Sequence, residues 1–165
     1  MPKRITLGLG YDIGQRWRVD GFVQYVRYSE LDAFRVTTTS PDLAQPKFGI
    51  GETLKVNLPR NWKDTIWVEA NARWRASERV LLSATLGYQS PASPTRTIDT
   101  ASPDGHRIIG AIGGMIDVSE RIALLGDARF QGIAPRRATD SDFDLGNGTY
   151  KLFIATIAGH LRARF

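Results

Sequence analysis

One phrase occurs three times along the chain. "SERVLLSATLGYQ" (Ser77 to Gln89) returns as "SERIALLGDARFQ" (Ser119 to Gln131), and a blurrier copy, "GQRWRVDGFVQYV", spans Gly14 to Val26. Each is a short polar opening followed by alternating apolar and polar side chains. Period-two alternation is the signature of an extended strand, whose successive side chains point to opposite faces. After Arg121, Ile122, Leu124, Gly126, Ala128 and Phe130 share one face, and Ala123, Leu125, Asp127, Arg129 and Gln131 the other. After Arg16, Trp17, Val19, Gly21, Val23 and Tyr25 oppose Arg18, Asp20, Phe22 and Gln24.

The segments between the copies alternate too. Thr65 to Arg75 sets Ile66, Val68, Ala70, Ala72 and Trp74 against Trp67, Glu69, Asn71, Arg73 and Arg75. Arg4 to Asp12 and Lys151 to Phe165 behave alike, whereas Phe34 to Thr39 and Lys47 to Asn57 fit less cleanly, and Arg107 to Asp117 is apolar on both faces. Glycines recur inside these segments at positions a helix would resent. The pattern predicts an all-β chain of about nine strands.

Lengths narrow the choice. The clear strands run ~9–15 residues, longer than the ~5–6 usual in soluble sheets and suited to the ~9–11 that cross a bilayer at a tilt. Tight turns are expected at Ile13 to Gln15, Ala76 to Glu78 and Val118 to Glu120, and long polar loops at Ser90 to His106 and Ala134 to Thr149. Short turns at one end and long loops at the other are the layout of a transmembrane antiparallel β-barrel. Tyr11, Trp17, Tyr25, Trp74, Tyr88, Phe130 and Phe165 sit near the ends of the apolar faces, where interfacial aromatic girdles belong. The alternative is a soluble lipocalin-like barrel, with the same period but the apolar face turned inward around a hydrophobic ligand. In that case Leu82 and Leu124 would be buried.

Composition removes several other classes. There is no cysteine, so disulfide frameworks and thiol chemistry are excluded. The net charge of +5 is spread without a basic run of the kind that marks a nucleic-acid tail. No stretch approaches the roughly 20 apolar residues of a membrane helix, and "MPKRITLGLGYDIG" contains no uninterrupted apolar signal core. His106 and His160 are the only histidines; His160 lies on the polar face with no serine nearby in sequence and His106 sits in a loop, so no enzyme is expected. "DSDFDLGNG" (Asp140 to Gly148) departs from a calcium loop, with Gly146 one place late and Lys151 where the bidentate Glu belongs. Arg136 and Arg137 could meet lipid phosphates, or simply be solvated in a loop.

Taken in order, "LPRNWKDTIWVEANARWRASERVLLSATLGYQSPAS", "ASPDGHRIIGAIGGMIDVSERIALLGDARF" and "GTYKLFIATIAGHLRARF" resemble the carboxy-terminal half of the FadL/TodX family of outer-membrane transporters. The resemblance rests on Trp62 with Asp64-Thr65 opening a strand, Gly87-Tyr88 closing one, Ser90-Pro91 and Pro103-Asp104 bounding a loop, and Gly148 with Tyr150 before a strand ending in Phe165. It implies a bacterial outer-membrane barrel of about 14 strands with an amino-terminal hatch, passing long-chain fatty acids or other hydrophobic compounds without cofactor, metal or energy input. Residues 1–165 would be one barrel region, with Met1-Pro2 inside a longer reading frame and the signal peptide, hatch and first strands lacking. Expected partners are outer-membrane lipid and lipopolysaccharide, a hydrophobic small molecule, the barrel-assembly machinery reading Phe165, and a missing amino-terminal barrel half. Phe22, Trp67, Arg73 and Arg129 are candidate lumen residues for an acyl chain and its carboxylate; a ligand-free ion-pair network is the other account of them. A structural outer-membrane barrel without transport is a further alternative.

Overall fold

A computed structural model describes residues 2–44 and 51–164. Its strands are β1 (Arg4–Ile13), β2 (Trp17–Val26), β3 (Ala33–Thr39), β4 (Thr53–Pro59), β5 (Thr65–Arg75), β6 (Val80–Gln89), β7 (Arg107–Asp117), β8 (Ile122–Ala138) and β9 (Gly148–Ala163). Seven of them pair antiparallel in one sheet, in the order β1-β2-β5-β6-β7-β8-β9. The weakly alternating pair, β3 and β4, leaves that sheet and forms a separate hairpin within the β2–β5 connection. Among the described residues nine strands are therefore present, and seven of them belong to the large sheet. Part of the segment expected from Lys47, and the terminal Phe165, lie outside the described residues.

The repeated phrase has a physical cause. Ser77 Oγ accepts a hydrogen bond from the Arg79 amide at 3.3 Å, and Ser119 Oγ accepts from the Arg121 and Ile122 amides at 3.3 and 3.1 Å. Each serine hydroxyl thus satisfies the amides of a tight turn and launches the next strand. The third turn uses Gly14 instead, at φ +61°, a left-handed conformation natural to glycine. These turns lie at one end of the sheet, and the β2–β5, β6–β7 and β8–β9 connections at the other.

Crowding distinguishes the two faces. Thr65, Ile109, Ala123 and Ile133 share one face through the strand register and are all at most 4% exposed. Opposite them Leu7 is 74% and Ile157 83% exposed. Side chains converge on the concave side of a curved sheet and diverge on the convex side, so the apolar set is convex. Leu82 and Leu124, at 42% and 45% exposure, belong to that outer set, which overturns the inward-facing lipocalin arrangement.

Aromatics gather at two levels on the convex face. Near the turns Trp17 stacks on Trp74 at 5.6 Å; near the loops the Tyr25 hydroxyl donates to Asp64, and Tyr88 pairs with His106 Nδ1 at 2.7 Å. From Trp74 to Ile66, the register partner of Tyr25, is roughly 26 Å along the strand at ~3.3 Å per residue. A tilt of ~40° shortens that to about 20 Å, near the ~25 Å apolar band of outer-membrane barrels.

β8 and β9, at 17 and 16 residues, continue past this band on the loop side. The two ends of the loop expected from Ala134 to Thr149, residues 134–138 and 148–149, are thus strand. Where they leave the band, Ala134 and Pro135 together face Lys151, a bulge between the pairs Ile133–Leu152 and Arg136–Tyr150. Proline has no amide to donate, so a bulge is where a sheet accepts one.

Candidate functional site

The concave face carries charge from the turn end upward. Arg18 donates to Asp20 at 2.8 Å and reaches Asp12 at 3.2 Å, and Arg73 donates to the other Asp20 oxygen at 2.6 Å. Arg18 and Arg73 stand directly opposite in the β2–β5 register, so Asp20 neutralises a pair of like charges that would otherwise repel. Space for this group comes from Gly10, where a Cβ would lie 2.6 Å from Asp20 Oδ1. Further along the wall Arg129 lies 3.9 Å from Glu69, His160 3.9 Å from Asp127, and Arg162 3.4 Å from Asp117.

Above the ion pairs, Phe22 meets Trp67 edge to face at 5.4 Å. The structure therefore joins two of the four candidate lumen residues, Phe22 and Trp67, in one contact. It commits Arg73 to Asp20 and turns Arg129 toward Glu69. Trp67 Nε1, Glu69 Oε2 and Arg73 Nε are buried without a hydrogen-bond partner. The arrangement sets an aromatic pair beside a stripe of ion-paired side chains.

At the loop end a cap knits distant segments together. Arg60 is buried, pairs with Asp99 at 2.5 Å, and lies over the rings of Phe34 and Phe143 at 4.8 and 5.7 Å. Burial alone would raise the Asp99 carboxyl, but hydrogen bonds from Arg60 and Ser102 outweigh it and hold the group below its ordinary value. Thr97 Oγ1 donates to the Arg60 carbonyl at 2.5 Å, and Ser141 Oγ to the Ile98 carbonyl at 2.9 Å. Arg136 donates to the Ser93 carbonyl at 2.8 Å and to Thr95 Oγ1 at 3.1 Å. The bulge shifts the face parity of β8 by one, so Arg136 joins the concave side and ties down the β6–β7 loop. Arg136 is half-buried there, and Arg137 stays exposed.

An open depression lies on the other face. About 930 Å³ of open groove runs over Gly21 and Ala70 between Leu7 and Leu9 on one side and Leu86, Tyr88 and Ile108 on the other. Its lining is almost wholly apolar and belongs to the convex set, so it faces the same surroundings as the rest of that face.

No protein-family model matches the sequence, and no curated protein matches it significantly. Solved structures do match in shape. A FadL homologue from Pseudomonas aeruginosa superposes with a TM-score of 0.70 over 97% of this chain, at 15% identity. The toluene transporter TbuX from Ralstonia pickettii superposes with a TM-score of 0.61 over 99%, at 13% identity. Its fold is that of a FadL-type barrel wall. The chain spans about a third of either protein's length, 34% and 33% respectively.

In a FadL-type wall the convex face meets hydrocarbon and the concave face lines the lumen, which agrees with the crowding of Thr65, Ile109 and Ile133. The charged concave stripe is legible in the sequence because Asp20, Glu69 and Arg129 alternate strictly with apolar neighbours. The Arg60–Asp99 pair leaves no such signal, its members being 39 residues apart in irregular segments. Pro135 inside an otherwise alternating run was the available signal for the bulge that turns Arg136 inward.

Proposed function

We propose that residues 1–165 form one region of the wall of a bacterial outer-membrane barrel that lets hydrophobic compounds pass by diffusion. Long-chain fatty acids are one candidate cargo and small aromatic compounds another. The observation carrying this reading is the inversion of the ordinary soluble pattern, with apolar side chains diverging on the outside and ion pairs crowded inside. A FadL-type fold supports it, and a wall built of strands meets the demand that backbone polar groups in lipid be hydrogen-bonded.

The same demand specifies what accompanies the chain. In the seven-stranded antiparallel sheet β1 and β9 run in the same direction, so joining them directly, or across two like-oriented copies, would make a parallel seam. An odd number of further strands restores antiparallel closure and the even count of outer-membrane barrels. We assign that role to an amino-terminal barrel half. Phe22, Trp67, Arg73 and Arg129 are proposed to border the route. Phe165 is proposed as the end of the assembly signal, with lipopolysaccharide around the loop end.

Uptake tests the reading. The full-length protein, produced in an outer-membrane-bearing host lacking its own hydrophobic-compound channel, should raise the entry rate of radiolabelled toluene or oleate and fractionate with outer membranes. Extraction as a soluble protein without detergent would refute it; outer-membrane insertion with no change in uptake of either compound would favour a purely structural barrel.

A further inference from the structure

The third residue of each repeated phrase is an arginine: Arg16, Arg79 and Arg121. Its carbonyl accepts a further ladder bond at the turn end, from the amides of Arg75 at 2.7 Å, Asp117 at 2.8 Å and Arg164 at 2.9 Å respectively. Alternation therefore reaches these positions. Because Trp17, Val80 and Ile122 follow on the convex face, the arginines fall on the concave one. Arg79 stands opposite an acid, but Arg16 stands opposite Arg75. These two share an open cleft of about 370 Å³ with Arg18, Arg73, Asp12 and Leu81. Both are exposed, so their guanidinium groups open onto the cleft.

One rung further into the barrel, Arg18 and Arg73 face each other in the same way, and the Asp20 carboxylate bridges them at 2.8 and 2.6 Å. Asp12 lies against Arg18 at 3.2 Å. Four guanidinium groups thus meet two carboxylates, and both carboxylates serve the inner pair. Among the described residues no carboxylate lies within ion-pair distance of Arg16 or Arg75. Like charges directly opposite in a sheet repel, so the outer pair lacks what the inner pair has. From Arg75 the register runs across the sheet to Leu81, Met115 and Leu125, three adjoining apolar side chains half-buried on the charged face. In the same columns the row above holds Ser83, Gly113 and Asp127, and the row below Arg79, Asp117 and Ala123. Beyond Leu125 the row ends at His160, 3.9 Å from Asp127. Three inter-strand steps of ~4.8 Å place Leu125 about 14 Å from Arg75.

We propose that this cleft binds a monocarboxylate with an apolar body of medium length, its head on Arg16 and Arg75 and its body along Leu81, Met115 and Leu125. The head repeats what Asp20 does one rung away, and the guanidinium fork matches a carboxylate through paired hydrogen bonds. The row sets the length. A body longer than about 14 Å runs on to His160 and Asp127, where further methylene groups meet charge instead of apolar side chains. A neutral compound leaves the arginine pair as it was, and inorganic phosphate leaves the apolar row uncovered. The site rests on the proposed function only in its placement, at the periplasmic mouth of the lumen, where such barrels have their short turns.

Isothermal titration of the full-length protein in detergent tests it, with hexanoate, decanoate, dodecanoate, decanol and inorganic phosphate as separate probes. Decanoate should bind saturably, at least tenfold more tightly than decanol or phosphate. Affinity should climb from hexanoate to decanoate and level off at dodecanoate. Arg16→Gln and Arg75→Gln should each weaken decanoate at least tenfold without lowering the thermal midpoint of the empty protein, because each removes a repulsion. Met115→Gln should weaken it several-fold. Equal decanoate binding in the parent and both arginine variants overturns the site, as does binding of decanol or phosphate as tight as that of decanoate. An affinity still climbing at dodecanoate overturns the placement of the body along the row. Should one arginine variant fail to fold, the other decides. Decanoate binding without uptake of toluene or oleate would uphold the site and remove the transport reading; uptake without decanoate binding would do the reverse.

Discussion

Placing a charge at Ile112 tests which solvent meets the convex face. Ile112 is the middle residue of the eleven-residue β7, 63% exposed, with only Ala84 and Ala128 as lateral neighbours on its face. In water, an Arg there would replace an exposed apolar side chain with a solvated one, and surface changes of this kind stay within about ±0.5 kcal/mol. In hydrocarbon, an Arg at the bilayer midplane costs about 2–4 kcal/mol, falling to ~0–1 kcal/mol near the interfaces. β7 supplies its own controls, since Ile108 and Ile116 lie on the same face, four residues to either side and near the ends of the strand. With a guanidinium slope of about 4 kcal/mol/M, a 3 kcal/mol loss for Ile112→Arg lowers the unfolding midpoint by about 0.7 M. Ile108→Arg and Ile116→Arg should move it by less than about 0.25 M. The assay is guanidinium unfolding of the full-length protein in phosphatidylcholine vesicles, followed by tryptophan fluorescence. A flat profile across the three positions would refute the lipid-facing assignment.

Asp99→Asn should leave the Arg60 guanidinium buried without its counter-charge and loosen the loop cap by about 3 kcal/mol, the low end for a broken buried pair because Asp99 is partly exposed. Faster hydrogen exchange and proteolysis across residues 90–106 would register it, with the wall strands unaffected. Asp20→Asn should lower the thermal midpoint by leaving Arg18 and Arg73 facing each other, and adding Arg73→Gln should restore part of the loss; independent, additive effects would disprove the shared-anion arrangement. Asp64, just before β5, is held down to about 2 by hydrogen bonds from Ser29 and from the Tyr25 hydroxyl. A depressed carboxyl stabilises the folded state above its unfolded value of 3.8 and loses that contribution as pH falls toward 2. Acid titration of the loop end should therefore show a transition between about pH 4 and 2 that Asp64→Asn removes.

The wall was legible because its information is local. Alternation across Ile122 to Gln131 or Thr65 to Arg75 assigns every side chain to a face without reference to any partner strand, and the Ser-Glu-Arg openings mark the turns through hydrogen bonds spanning two or three residues. The same locality explains why β3 and β4 were less readable. Held in a hairpin outside the wall, they answer to no single lipid–water boundary.

What the sequence determined by itself was an all-β chain with one greasy and one charged face, and an expectation of which face meets lipid. Only the tertiary structure decided what the charged side chains do. Asp20 serves two arginines because β2 and β5 are in one register, Arg60 finds Asp99 because three loops fold over one end, and Arg136 turns inward because a single extra residue at Pro135 reverses the parity of β8. Periodicity along a chain fixes direction relative to the sheet; contacts between segments 39–53 residues apart depend on register and loop closure, which no local pattern encodes.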